Sequence, residues 1–140
     1  MDIDPDNNAV SFAVSVVGAL IPDPYEPNDS PDEATDPSEF LNTTIEATIG
    51  EPGDEDWYRI DDVSDGTRIV ASLRSVPADY DLFLFDATGK QVKSSTGAGT
   101  SDESFNYRAR RSTGTYYLLV VGWNGASSAL DSYELTTELR

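Results

Sequence analysis

The chain has 140 residues, enough for one well-buried core without requiring a second full domain. Its 26 acidic side chains outnumber 9 basic ones and give a formal net charge of −17, which argues against nucleic-acid partners because a phosphate backbone needs a basic face. Because there is no cysteine and no histidine, disulfides, Cys/His zinc sites, cysteine nucleophiles and Ser-His-Asp triads are all excluded.

Two interpretations account for the acidity. A salt-adapted protein carries many solvated carboxylates, whereas a cation-binding protein uses carboxylates as ligands and relieves their mutual repulsion by binding ions. No apolar run approaches the roughly 18 residues of a membrane span, so we expect no membrane insertion.

The first part of the chain predicts a strand followed by a linker. Apolar and small or polar side chains alternate over Val10–Val17, which is strand periodicity. The segment Ile21–Pro37 holds five prolines among acids and serines, where neither a helix nor a ladder persists. We therefore divide the chain into a leader, residues 1–21, and a main domain, residues 22–140.

The main domain predicts a series of short strands separated by Gly-, Asn- and Asp-containing turns, with almost no helix. The expected strands are Thr43–Ile49, Trp57–Ile60, Thr67–Ser75, Tyr80–Phe85, Ser104–Ala109, Thr115–Val121 and Ser132–Leu139. This pattern indicates an all-β protein, and we expect an antiparallel, jelly-roll-like β-sandwich of about seven to eight strands.

Two of these strands, Tyr80–Phe85 and Thr115–Val121, are apolar on both faces, although a two-layer sandwich buries only one face of each sheet. Three arrangements account for the second apolar face: it packs in the middle of a structure with more than two layers, it is covered by the strand Val10–Val17, or it is exposed as a binding patch. We favour the first two arrangements, in which the face is buried.

Two acidic stretches have the composition of a calcium site. Glu26–Ser30 lies in the linker and Gly53–Trp57 precedes a strand. Ca²⁺ takes six to eight oxygen ligands, so neither stretch suffices alone but the two together do. Pro27 restricts the backbone around it, and Asp54 and Asp56 are two apart in an extended segment. Solvated acidic loops use the same residue types, and composition alone favours that alternative.

Several motifs occur together, in order, between Pro24 and Leu139: YEPNDS (Tyr25–Ser30), GDEDWY (Gly53–Tyr58), DYDLFLFD (Asp79–Asp86) with Gly89, and GTYY (Gly114–Tyr117). In this the chain resembles the bacterial pre-peptidase C-terminal domain. The resemblance implies a jelly-roll-like sandwich appended to secreted proteases, including clostridial collagenases, and itself not an enzyme.

The resemblance also implies a ligand set, because related collagenase modules hold calcium between the linker motif and the acidic loop. Carried over to this chain, the ligands are Glu26, Asn28, Asp29, Asp54 and Asp56. Two-calcium relatives have an acidic residue two positions before the linker glutamate, where this chain has Pro24. We therefore expect one calcium ion.

The leader has a shorter resemblance of its own. DPDNN followed by an alternating strand looks like the closing strand of a CARDB-like adhesion repeat. By that resemblance the leader is the remnant of a preceding β-sandwich domain.

The predicted function is that of a non-catalytic, calcium-binding accessory module of a secreted or cell-surface multidomain protein, whose partners are its neighbouring domains. The alternative is a module that binds collagen or polysaccharide through exposed aromatic side chains. The aromatic candidates are Tyr80, Phe83, Phe85, Tyr117 and Trp123. An acid pair such as Asp79 and Asp81 also suggests glycoside chemistry, but close carboxylates arise by chance in so acidic a chain.

Overall fold

The computed structural model describes residues 23–110 and 114–140, which form two facing four-stranded antiparallel sheets. The strands are β1 (Thr44–Ala47), β2 (Glu55–Val63), β3 (Arg68–Arg74), β4 (Tyr80–Asp86), β5 (Gln91–Ser95), β6 (Glu103–Arg108), β7 (Gly114–Gly122) and β8 (Tyr133–Leu139). One sheet has the order β1-β8-β3-β6 and the other β2-β7-β4-β5, the order of an eight-stranded jelly roll. The predicted all-β sandwich is confirmed.

All seven expected strands are present, with both ends of each within three residues of the prediction, and β5 is the only described strand that the sequence missed. This strand, QVKSS, is polar and mostly exposed because it lies at the edge of its sheet. Edge strands carry charged and polar residues that discourage pairing with other chains, so they lack the apolar alternation by which strands are recognised. The leader strand Val10–Val17 lies outside the described residues.

Within residues 23–110 and 114–140, helix is confined to three short segments, the 3₁₀ turns Pro31–Glu33 and Trp123–Gly125 and the single-turn helix α1 (Pro37–Phe40). No helix in the described part of the chain is both long and apolar enough to cross a membrane.

The core forms between the inner faces of the two sheets and follows from the alternation within each strand. In β4, Tyr80, Leu82 and Leu84 are fully buried, and the β7 partners of the two leucines, Val120 and Leu118, are buried in the same way. Burying a large aliphatic side chain contributes roughly 1.5–3 kcal/mol, so this interface is the main source of stability.

The proline-rich linker is attached along the outer edge of β2, where it supplies the pairing that this edge strand lacks. Trp57 N donates to Asn28 O at 2.9 Å, and Thr35 N donates to Trp57 O at 2.9 Å. Thr35 and Tyr58 form a parallel bridge. These bonds hold the linker against the sandwich and bring Asn28 beside the start of β2.

The outer face of the β2-β7-β4-β5 sheet is partly exposed in the described part of the chain. It carries a ring cluster in which Trp57 lies 5.3 Å from Phe85 and 6.4 Å from Tyr117, measured between ring centroids. Phe83 extends the cluster, 6.4 Å from Phe85. Ordinary core packing therefore explains only the inner face of these strands, and coverage by the leader stays a prediction.

Candidate metal centre

The linker contributes the first part of the centre. Asn28 is fully buried, and its side-chain amide contacts Thr35 Oγ1 at 3.2 Å. Its neighbour Glu26, whose peptide bond to Pro27 is cis, remains exposed, and Glu26 Oε1 accepts from Asn28 N at 3.4 Å. Asp29 is likewise exposed. The linker thus presents a buried amide flanked by two accessible carboxylates.

The turn before β2 contributes the second part. Gly53 adopts φ 86°, a conformation that costs glycine little, and this turn aims Asp54 toward the linker. Asp54 Oδ2 accepts from Gly50 N at 3.0 Å, which fixes the side chain. Asp56 follows on the inner face of β2 and is fully buried.

A pair of buried tyrosines orients the Asp56 carboxylate. The Tyr133 hydroxyl donates to Asp56 Oδ2 at 2.6 Å. The Tyr58 hydroxyl lies 2.6 Å from the Tyr133 hydroxyl and, because the Tyr133 proton is engaged, donates to it. Both rings are fully buried, so one oxygen of Asp56 is held from the core side while the other faces the linker.

Asp23 is a member of the cluster that the sequence interpretation missed. Its Oδ1 accepts from Tyr25 N at 2.9 Å and its Oδ2 accepts from Thr48 N at 3.3 Å, so it joins the start of the linker to the end of β1. The sequence interpretation considered only the position two before Glu26, where Pro24 stands. The carboxylate three positions before Glu26 was the available signal.

These carboxylates converge in two groups that share Glu26. In each group, one oxygen from every member lies within 4.8 Å of the others; one group is Asp23, Glu26 and Asp56, and the other is Glu26, Asp29 and Asp54. Oxygens that bind one Ca²⁺ at about 2.3–2.6 Å are at most about 5 Å apart. The spacing therefore fits a calcium ion, and all five sequence-predicted residues lie in one place.

The Asn28 side chain joins the two carboxylates at the centre. The amide is assigned in the orientation that satisfies its partners: its nitrogen donates to Glu26 Oε2 and to Asp56 Oδ1, at 3.1 Å each, and its oxygen accepts from Thr35 Oγ1 at 3.2 Å. Asn28 therefore lies in contact with both the linker glutamate and the buried aspartate of β2.

The pKa values of these carboxylates indicate that the cluster lacks a countercharge. Burial, together with the neighbouring acids Asp23 and Asp54, raises the pKa of Asp56 to about 10, against the Tyr133 hydrogen bond that lowers it. Burial raises the pKa of Asp54 to about 7, and burial likewise raises the pKa values of Glu26 and Asp23. None of the ion pairs in the described part of the chain involves these carboxylates. A bound cation would supply the missing countercharge.

The centre opens to solvent through a cleft of about 370 Å³ lined by Asp23, Glu26, Asp29 and Asp54. Its inner wall is buried and its rim is exposed, which provides an entry path for an ion. The oxygen donors are hard ligands and include no nitrogen or sulfur, so the centre suits Ca²⁺ rather than zinc or copper.

The aromatic residues predicted as an alternative binding face do not form one surface. Tyr80 is fully buried in the core, so its ring is not available to a ligand. Phe83, Phe85 and Tyr117 lie on the partly exposed outer face, and Trp123 is 64% exposed beyond the end of β7. The alternation of β4, whose even-numbered positions face the core, separates Tyr80 from its two phenylalanines.

The jelly-roll sandwich and its edge-docked acidic linker define the class of protein, a β-sandwich module with a candidate metal centre. The comparisons then show which family the chain resembles. Residues 54–122 match the model of the bacterial pre-peptidase C-terminal domain, which confirms the resemblance seen in the motifs. Domains of this family are accessory, non-catalytic modules.

Two solved structures share the fold. The pre-peptidase C-terminal domain of a collagenase from Bacillus anthracis is 21% identical, with a TM-score of 0.54 over 69% of this chain and 89% of that one. PliG, a periplasmic inhibitor of g-type lysozyme from Aeromonas hydrophila, is 11% identical, with a TM-score of 0.52 over 70% and 85% of the respective chains. A comparison with curated proteins found no match.

Proposed function

We propose that this chain is a calcium-stabilised accessory module of a secreted or cell-surface multidomain protein, with one ion held by the linker and the start of β2. The observation that carries the proposal is the convergence of Asn28 and Asp56, both fully buried, with accessible carboxylates and no basic partner among the described residues. Asp23 joins the five ligands expected from the sequence.

An ion at this place would act as a clip. Its ligands come from the linker and from the body of the sandwich, so binding would hold the linker against β2 more firmly than the backbone hydrogen bonds alone. Since the linker connects the module to whatever precedes it, calcium would set the orientation of the neighbouring domain as well as the stability of this one.

Thermal unfolding with calcium and with chelator tests the proposal. An ion that binds only the folded state adds about 2.7 kcal/mol at one hundred times its Kd, which corresponds to a rise in Tm of roughly 10 °C for a domain of this size. Magnesium should have a much smaller effect because it requires tighter octahedral geometry. Calorimetric titration should give one ion per chain. Identical melting curves in calcium and chelator would contradict the proposal.

A second candidate function, binding of an extracellular polymer, has one specific observation in its favour. Trp57, Phe85 and Tyr117 line a cleft of about 430 Å³ between the linker and the turn after β4. Partly exposed rings in a groove are common polymer-binding elements. Pull-down on collagen and on common polysaccharides tests it: Trp57→Ala should abolish retention and Leu130→Ala, at an exposed leucine outside the cleft, should not. No retention on any of these polymers would count against it.

A further inference from the structure

A second cleft, of about 500 Å³, lies at the opposite end of β4 from the aromatic groove. Asp79, Asp81 and Phe83 form one side of it, the loop containing Gly97 forms another, and Trp123 stands at its rim. Asp81 and Phe83 are both on the outer face of β4, because they alternate with the core residues of that strand. The cleft combines carboxylates with aromatic rings.

Asp81 is the unusual residue of this cleft. Its side chain is only 6% exposed, yet no hydrogen bond donor of the described residues contacts it. Its charged neighbours are the carboxylates of Asp79 and Glu103, which, together with burial as the larger cause, raise its pKa to about 6. Buried carboxylates in folded proteins normally accept hydrogen bonds or pair with a cation, so Asp81 lacks a partner.

Two further oxygens around Asp81 are also unsatisfied. Asp79 Oδ1 is buried and accepts no hydrogen bond, and neither does Glu103 Oε2. The other oxygen of Glu103 accepts from Ser95 Oγ and from Gly97 N at 2.9 Å, so this carboxylate braces the loop at the wall of the cleft. The region therefore has an excess of buried negative charge, and no basic side chain is among the described residues that line the cleft.

The shape of the cleft favours an organic cation over a metal ion. Within the described residues, groups of three or more carboxylates with oxygens close enough together to share an ion occur only at the linker. In this cleft two carboxylates, Asp79 and Asp81, lie in the lining together with Phe83 and the 64% exposed Trp123. A guanidinium group matches that arrangement because its planar fork donates to carboxylates while its face stacks on aromatic rings.

The walls of the cleft are held in place before any ligand arrives. Trp123 N donates to Asp79 O at 2.7 Å, which joins the end of β7 to the segment before β4. Gly122 has no room for a side chain, since a Cβ there would lie 1.8 Å from Ala126 O. The backbone therefore turns tightly after β7 and places the Trp123 ring at the rim.

We propose that this cleft binds an arginine side chain of a partner polypeptide, with Asp81 and Asp79 accepting from the guanidinium and Trp123 packing against its face. Residues 1–22 contain no arginine or lysine, so the leader does not supply the side chain. The charge of the chain favours such a partner, because a net charge of −17 attracts basic segments.

Nuclear magnetic resonance titration of the full chain in saturating calcium tests this proposal. The probe is the peptide acetyl-Gly-Arg-Gly-amide, and its matched control replaces arginine with citrulline, which keeps the shape but lacks the charge. We expect the arginine peptide to shift the indole resonance of Trp123 saturably at millimolar concentrations and the citrulline peptide to leave it unchanged. Equal effects of the two peptides, or no effect of either, would overturn the proposal.

Two variants locate the binding. Asp81→Asn keeps the side-chain shape and should weaken arginine binding at least tenfold, whereas Asp102→Asn, an exposed change that removes the same charge close by, should alter it less than twofold. Trp123→Ala alters an exposed ring and should weaken binding severalfold while the melting temperature is kept. Wild-type affinity in both variants would refute the assignment. So would a Trp123 shift that saturates with magnesium or further calcium and disappears in Asp81→Asn, because it would indicate a metal site.

Discussion

Replacing Asp56 by asparagine should have opposite effects on stability with and without calcium. In the ion-free protein the pKa of Asp56 is about 10, so at pH 8 the carboxyl group is protonated and shares a hydrogen bond with Glu26. Asparagine reproduces that state: its oxygen accepts from Tyr133 and its nitrogen donates to Glu26. With calcium bound, the same change removes an anionic ligand.

The magnitude follows from proton linkage. In the unfolded chain this carboxyl ionises near pH 3.8, so the stability it contributes is fully present below that pH and is lost as pH rises through the folded value of about 10. The pH of 8 lies roughly four units above the pKa of this group in the unfolded chain. At about 1.4 kcal/mol per pH unit, keeping Asp56 protonated in the folded protein costs at most about 6 kcal/mol of stability at this pH. Water entry and side-chain relaxation reduce this, so we expect Asp56→Asn to stabilise the ion-free protein by about 1–3 kcal/mol.

In calcium the balance reverses. The wild-type protein gains about 2.7 kcal/mol at one hundred times the Kd of the ion, and the variant should lose most of that gain. The free energy of unfolding of Asp56→Asn should therefore exceed that of wild type in chelator and fall below it in calcium, so the order of the two unfolding midpoints reverses.

Urea unfolding at pH 8, in millimolar calcium and in chelator, measures both differences. Glu46→Gln is the matched control, since it removes one negative charge from an exposed position on β1 outside the cluster and should behave like wild type in both conditions. If Asp56→Asn destabilised the protein equally with and without calcium, the residue would be a structural core group and the reasoning about the ion would be refuted.

Three further predictions concern other parts of the molecule. Tyr133→Phe removes the hydroxyl that donates to Asp56 and should cost about 1–3 kcal/mol in urea unfolding, with weaker calcium binding by calorimetry. Gly122→Ala forces a Cβ against the Ala126 carbonyl oxygen and should lower stability by several kcal/mol, on the order of 3. Asp81, whose pKa is raised from 3.8 to about 6, contributes stability that is present below pH 3.8 and is lost as pH rises through 6. The stability of Asp81→Asn relative to wild type should therefore increase between pH 4 and pH 7.

Each of these has its own contradicting outcome. Unchanged calcium affinity in Tyr133→Phe would show that the hydroxyl does not orient the ligand. Gly50→Ala is the control for Gly122→Ala, because a Cβ at Gly50 has open space around it. Equal losses of stability in the two variants would rule out the steric explanation. Parallel stability profiles of wild type and Asp81→Asn from pH 4 to pH 7 would show that burial and the neighbouring Asp79 and Glu103 do not raise the pKa of this group.

Much of the fold follows from local patterns. The alternation of side chains in β2, β3, β4 and β7 reflects a sheet with one face in a core, and that period is visible in the sequence because it depends only on neighbours along the strand. The polar strand β5 lacks that signal because an edge strand is held by backbone pairing to β4 rather than by burial of its side chains. Whether this segment forms a strand therefore depends on its pairing with β4, which the local sequence does not show.

For the candidate calcium centre, too, the sequence indicates some features and only the tertiary fold decides others. Glu26, Asn28, Asp29, Asp54 and Asp56 stand in two short motifs, so residue type and spacing along the chain are sufficient to indicate oxygen ligands. That the two motifs meet, that Asp23 joins them through Thr48, and that Tyr133 orients Asp56 across 77 positions of sequence are consequences of the tertiary fold.

Burial separates the remaining residues. Tyr80 and Phe83 belong to one apolar run, yet the pleat sends the first into the core and leaves the second on the outer face. In the sequence Asp81 is one more acid in an acidic chain, and only packing removes it from water without a donor. The order of amino acids specifies which chemical groups this protein carries and the strands on which they lie. Folding decides which of them meet and which are desolvated, because contacts and dielectric environment depend on residues distant in the chain.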